Sequence, residues 1–276
     1  MFISLVEGAN IIFAGHYSGL CYHTDGKSHQ SINDMSVFSS LHPKLHCVDP
    51  PTPFLAELML EKIIENNAAA YFRLRRTPVP RLHTYIDTTF KNMYELQNQS
   101  HEKIHKSISW NKLFSPILLS PSMEQNSTVL ASDAGDNTGT EIAFVSIGTV
   151  GTELAVDCIT KCKSFYGCKL ALVTLISGQI ERDQQVLKFW KSFFFEVHKH
   201  LKYVIVIEDD VGALYNYVCK VYSSLYCNEI RNIKILPKNI NDAGPSQRTL
   251  ESCKSQFGFT IEEVEKQLSL AKKSVY

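Results

Sequence analysis

No stretch of this sequence approaches the roughly 18–20 consecutive apolar residues that a membrane-spanning helix needs, so a helical membrane protein is not expected. There is no surplus of charge of either sign: 28 Lys and Arg stand against 28 Asp and Glu. No global field therefore draws the chain to nucleic acid or to an acidic membrane surface. The opening MFISLVEGANIIFAG is apolar but carries no basic leader, and Glu7 interrupts it, which argues against a signal peptide. The eight cysteines are scattered through a chain long enough to fold without disulfides. That usage predicts free thiols in a reducing, cytoplasmic setting. The glycine patterns G-x-S-x-G and G-x-G-x-x-G are both missing, which removes a nucleophile elbow and a dinucleotide fingerprint.

What is present fits a soluble globular protein of one large or two modest domains. Apolar residues make up 44% and charged residues 20%, too apolar for disorder throughout. Strand-like runs at 9–14, 45–48 and 69–74 alternate with helical patterns at 31–41 and after Thr52-Pro53, where a capping hydroxyl precedes a proline. The alternation resumes later. Strands are predicted at 142–147, 170–176, 203–207 and 232–236. Helices are predicted after Gly148 and Gly151, at 184–199, at 211–224 and beyond Thr260-x-x-Glu263. This is the rhythm of an α/β fold with mainly parallel sheets. Residues 84–140 are rich in Asn, Ser, Thr and His and read as a polar insert or linker. The expected division is thus 1–83, an insert at 84–140, and 141–276.

Several local patterns suggest chemistry. Gly26-Lys27-Ser28 has the ending of a phosphate loop, but the first glycine of that motif would fall at Cys21, so a turn is the better reading. His101-Glu-Lys-Ile-His105 matches H-E-x-x-H in letters, yet it lies in a polar context with Lys103 inside it and reads as a solvated stretch. Cys158, Cys162 and Cys168 read as packed thiols. Glu208-Asp209-Asp210 follows a predicted strand and reads first as a solvated loop or helix start. His16, His29 and Asp25 in the loop 16–30, with the arginine run 73–76, are groups that suit a polyol phosphate. Imidazole and carboxylate bond hydroxyls, and guanidinium forks onto phosphate. Separate surface histidines and a solvated arginine run explain the same residues.

At these residues the sequence resembles the C-terminal half of transketolase. The family's pyrimidine-binding domain carries a strand followed by G-S/T-H, then E-D-G-x-S/T-H/Q, a helix opened by P-a-D-x-x-E, and a strand ending in R-l-x-R. Here these read A-G-H at 14–16, T-D-G-K-S-H-Q at 24–30, the segment 50–57, and Y-F-R-L-R-R at 71–76. Residues 141–276 are similar to the family's C-terminal domain, from EIAFVSIGTVGTELAVDC through YVIVIEDD to the last helix.

The resemblance implies a partial thiamine-diphosphate-binding α/β domain followed by a transketolase C-terminal-like α/β domain. It implies that His16 lines a reaction centre as the catalytic residue, and that Asp25 and His29 bind sugar hydroxyls. It also implies that Arg76 binds phosphate. The family's reaction is ketol transfer between sugar phosphates on thiamine diphosphate with Mg²⁺. No counterpart of the cofactor-activating glutamate occurs here, and G-D-G occurs nowhere. Thiamine diphosphate and Mg²⁺ are therefore expected only in a completed assembly, with no cofactor-binding residue or metal ligand assigned in this chain. The implied partners are an N-terminal transketolase-like chain or a second copy, and a sugar phosphate, with neither nucleic acid nor membrane. The alternative is a catalytically inactive binding or dimerisation relative.

Overall fold

A computed structural model describes residues 10–16, 18–21, 23–26, 30–41, 44–75, 79–121, 141–176, 184–196, 200–225, 233–240, 247 and 249–274. Two sheets organise them. The first has strand order β1-β3-β2-β7, with β1 (Ile12–Gly15), β2 (His46–Val48), β3 (Ala70–Arg73) and β7 (Leu175–Ile176). β1 and β2 run parallel to β3 on either side of it, and β7 closes the β2 edge antiparallel. The second has order β4-β6-β5-β8-β9, with β4 (Ile117–Leu119), β5 (Ile142–Ile147), β6 (Leu170–Val173), β8 (Tyr203–Ile207) and β9 (Lys234–Lys238). Its central strands are parallel and β4 is antiparallel. The expected α/β class with mainly parallel sheets is what the chain adopts.

Local sequence explains most elements. α1 is Asp34–Leu41. α2 (Pro53–Glu65) starts where Thr52 Oγ1 accepts from Leu55 N at 3.1 Å and proline occupies the first turn. Its buried stripe is Leu55, Leu58, Met59 and Ile63. β5 is buried on both faces, as a central parallel strand between helical layers must be. It runs directly into α6 (Gly148–Lys161). Gly148 there has φ +65°, and a Cβ on Gly151 would stand 2.8 Å from the Ile207 carbonyl, so α6 packs tightly on β8. One continuous core runs from Leu20 to Leu268 and joins both sheets.

Four readings of the sequence change. The polar stretch after residue 83 is not structureless as far as it is described. α3 (Pro80–Met93), α4 (His101–Ser107), α5 (Trp110–Phe114) and β4 occupy it. Their anchors are few but spaced for helices, with Leu82, Ile86 and Phe90 buried along α3. The most linker-like part, 122–140, lies outside the described residues. The run 170–176 is two strands, because Thr174 breaks it and sends its halves to different sheets. The helix at 184–199 is α7 (Gln184–Lys191) continued by a π-turn over Ser192–Glu196. α8 is Ala213–Leu225 and α9 is Leu250–Gln256. α10 (Ile261–Lys273) begins after Thr260 as the sequence suggests, yet the Thr260 side chain caps no backbone N–H of the helix.

Candidate functional site at the strand ends

The carboxyl ends of β1, β2, β3, β5 and β8 carry the chain's concentrated polar chemistry. Tyr71, Arg73 and Arg75 alternate along β3 and its extension, which turns all three to one face while Phe72 enters the core. Asp49 follows β2, Asp209 and Asp210 follow β8, and Asp34 opens α1.

Arg75 bonds two carboxylates, each through two N–H groups. Nε and Nη2 donate to Asp49 at 2.9 and 2.5 Å, and Nη1 and Nη2 donate to Asp209 at 2.5 and 2.7 Å. Such forked charge-assisted bonds are the strong and directional kind. Arg73 is fully buried. Its Nε donates to Asp34 Oδ2 at 3.0 Å, Nη1 to Asp49 Oδ2 at 3.1 Å, and Nη2 to the Ser31 carbonyl at 3.1 Å. Tyr71 Oη donates to the same Asp34 Oδ2 at 2.6 Å.

Asp210 caps α1 from the other sheet, accepting from Met35 N at 3.2 Å and Ser36 Oγ at 2.7 Å. Glu208 accepts from Leu214 N and Tyr215 N at the start of α8. The acidic triplet is thus not solvated: all three carboxylates are fully buried. Asp209 and Asp210 are the tie between the two sheets, while Glu208 serves α8.

The electrostatics follow from burial and partners. Burial opposes charge on Asp209, but Arg75 and then Arg73 outweigh it and hold the carboxyl down to about 2. Asp210 is pushed up to about 6 and Glu208 to about 8, in both cases chiefly by burial. The two guanidinium groups are held well above their ordinary range by the carboxylates around them, against the opposing effect of burial.

The residues that the resemblance singles out have different placements. His16 directly follows β1 and is exposed, beside the β3 end, where Leu74 N donates to the Gly15 carbonyl at 2.7 Å. Asp25 is exposed on the following loop. Gly26, with φ +66°, makes the turn there, in keeping with an ordinary Asp-Gly turn. That loop is pinned to the second sheet: Leu20 N donates to Asp209 Oδ2 at 3.2 Å, and Gln247 N donates to the His23 carbonyl at 2.8 Å. His29 and Arg76 lie outside the described residues.

Sequence reasoning missed Asp34 and Asp49, and took Arg73 and Arg75 for part of a phosphate-binding or solvated run. A usable signal existed. Two arginines two apart at one strand end, and three acids at another, are complementary if the strands are neighbours.

Thiamine diphosphate with its divalent metal, which a transketolase-type fold implies, does not fit these residues. A metal-bound diphosphate needs oxygen donors not already engaged, and Asp49 and Asp209 are taken up by guanidinium groups while Asp210 caps α1. Of the other acids at these strand ends, Glu208 is committed to α8 and Asp34 to Arg73.

Two linked, mainly parallel sheets with their strand ends facing a shared polar seam define an α/β protein. The fold is that of transketolase structures. A structure described as a split-gene transketolase, inactive beta4 tetramer, superposes with a TM-score of 0.59 at 15% identity over 94% of this chain and 66% of that one. A transketolase mutant from Pichia stipitis in complex with fructose 6-phosphate superposes with a TM-score of 0.57 at 14% identity, over 97% of this chain and 31% of that one. The chain therefore spans just under two thirds of the first structure and about a third of the second. No protein-family model matches the sequence, and no curated protein does. No described helix is long and apolar enough to cross a membrane.

Proposed function

We propose that the chain is the C-terminal, sugar-phosphate-binding part of a transketolase-type assembly, and that it does not turn over alone. The observation that carries this reading is the outer edge of the first sheet. Among the described residues β1 pairs only with β3, its residues are half-buried or exposed, and it ends at exposed His16. An edge strand of this kind is a template for another chain. A partner completing that edge would bring its own surface beside His16. In this reading His16 faces the reacting carbons, Asp25 and His29 bind sugar hydroxyls, and Arg76 binds phosphate. The partner supplies the thiamine diphosphate and Mg²⁺ site. The cofactor furnishes the carbanion chemistry, and this chain's residues bind and orient the sugar.

The test is ketol transfer between a ketose phosphate and an aldose phosphate with thiamine diphosphate and Mg²⁺. The expected result is no turnover for the chain alone and turnover when a chain carrying the G-D-G…N metal motif is added. Turnover by the chain alone would overturn the reading. One observation favours a second, non-catalytic reading as a binding or dimerisation module: Arg73 and Arg75 are spent on internal carboxylates. A stable oligomer that never turns over, whichever chain is added, would establish that reading instead.

A further inference from the structure

The motif His101-Glu-Lys-Ile-His105 has no part in the assembly reading above. It forms α4, and its i, i+4 spacing turns both imidazoles to one side. That side faces α2, where Glu57, Glu61 and Glu65 recur at the same spacing. His101 Nε2 lies 3.4 Å from Glu57 Oε2, and its Nδ1 lies 4.0 Å from Glu61 Oε2. His105 Nε2 lies 3.5 Å from the same Glu61 oxygen and 3.3 Å from Glu65 Oε1. One ligand atom from each of Glu57, Glu61 and His101 falls within 4.8 Å of the others.

None of these approaches is a hydrogen bond. His101 Nε2, His105 Nε2 and Glu61 Oε2 are shielded from solvent and have no hydrogen-bond partner. Three orphaned polar atoms in one cluster are costly and call for a physical reason. Their spacing supplies one. A charge-assisted N–H···O bond settles at about 2.7–2.9 Å. Two ligand atoms held roughly 2.0–2.2 Å from a tetrahedral metal stand about 3.3–3.6 Å apart. The His101 Nε2–Glu57 Oε2 distance of 3.4 Å and the His105 Nε2–Glu61 Oε2 distance of 3.5 Å lie in that second range.

We propose that Glu57, Glu61 and His101, with His105 beside them, form a binding site for a divalent transition metal of the zinc class that clamps α4 onto α2. Mixed imidazole and carboxylate ligands suit zinc, cobalt or nickel rather than magnesium or calcium. The Phe54 ring meets His101 edge-on at 5.8 Å and fixes the imidazole plane. The site is not that of a metallohydrolase. Glu102, the motif's would-be general base, is exposed and pairs with Lys106. The acids come from the neighbouring helix instead. The clamp also has a reason to exist: Ile104 is the one buried residue of α4, so apolar burial holds that helix weakly.

The test uses the full chain, stripped of metal by chelation and titrated with Co²⁺ and then Zn²⁺. One equivalent of Co²⁺ is expected to give the visible absorption of a tetrahedral site. Zn²⁺ at a hundredfold excess over its Kd is expected to raise Tm by roughly 5 °C. His101→Ala and Glu61→Gln are expected to weaken uptake about 100-fold, and Glu102→Gln to leave it unchanged. Absence of both the absorption and the Tm shift in the wild-type chain overturns the proposal, as does uptake that His101→Ala does not weaken. If that variant does not fold, diethyl pyrocarbonate labelling of the wild-type chain decides. Zn²⁺ protecting His101 and His105 supports the site, and equal labelling with and without metal overturns it.

Discussion

Arg75 and Asp209 join the two sheets through parallel bonds of 2.5 and 2.7 Å, with both side chains withdrawn from solvent. The carboxylate that holds Arg75 also approaches Arg73 at 3.4 Å, so one side chain serves both cations.

Asp209→Asn should therefore be among the more damaging single changes. It leaves Arg75 buried with one anionic partner in place of two, and removes part of the compensation for Arg73. Breaking a buried pair from one side costs about 3–5 kcal/mol. Urea denaturation should show a lower midpoint with an unchanged slope.

Glu208 gives a pH dependence of defined sign. Its folded-state pKa, raised to about 8 by burial, lies above the ordinary carboxyl value near 4.5. Between those values the folded chain holds a proton that the unfolded chain has released, so this group's contribution falls as pH rises from 4.5 to 8. Asp210, raised to about 6, acts in the same sense over the lower part of that window. Glu208→Gln should flatten the decline in Tm measured from pH 5 to pH 8. An equal decline in wild-type and variant would show that Glu208 is ionised when folded.

Gly148 has no room for a side chain. A Cβ there would stand 2.3 Å from the Arg75 guanidinium, at a backbone φ of +65°. Arg75 is fixed by four bonds and cannot swing aside at low cost. Gly148→Ala should cost at least about 1–3 kcal/mol through the backbone alone. Equilibrium unfolding measures it.

The buried thiols should be inert in the folded chain. Burial pushes Cys47 and Cys168 up to about 12, and Cys158 higher still. Iodoacetamide at pH 8 should leave these three unmodified until denaturant is added, as read by mass spectrometry. Labelling of Cys47 in the native state would mean that the core around β2 opens.

Much of the fold could be read along the chain because its signals are local. Thr52-Pro53 marks the start of α2, and the apolar run 142–147 is a central strand by composition. The resemblance to transketolase rested on such short runs, and the fold agrees with it. The strand-end seam was not legible, since Arg75 is 134 positions from Asp209 and 26 from Asp49. Nothing local tells an arginine which carboxylates will fold against it. α3 to α5 were missed for the opposite reason. Their outer faces dominate the composition, and a stripe as sparse as Leu82, Ile86 and Phe90 is hard to see among polar neighbours. The pairing of His101 and His105 with α2 glutamates was hidden for the same reason as the seam: the partners come from another helix.

The single residue Thr174 lies between β6, in the second sheet, and β7, in the first, while β4 carries the chain's earlier half into the second sheet. Each sheet thus borrows a strand from the other half of the sequence, like two hands with interlaced fingers. A cut between residues 121 and 141 would yield pieces that each bare an edge formerly covered by the other. Such pieces would regain their shape only by finding one another again.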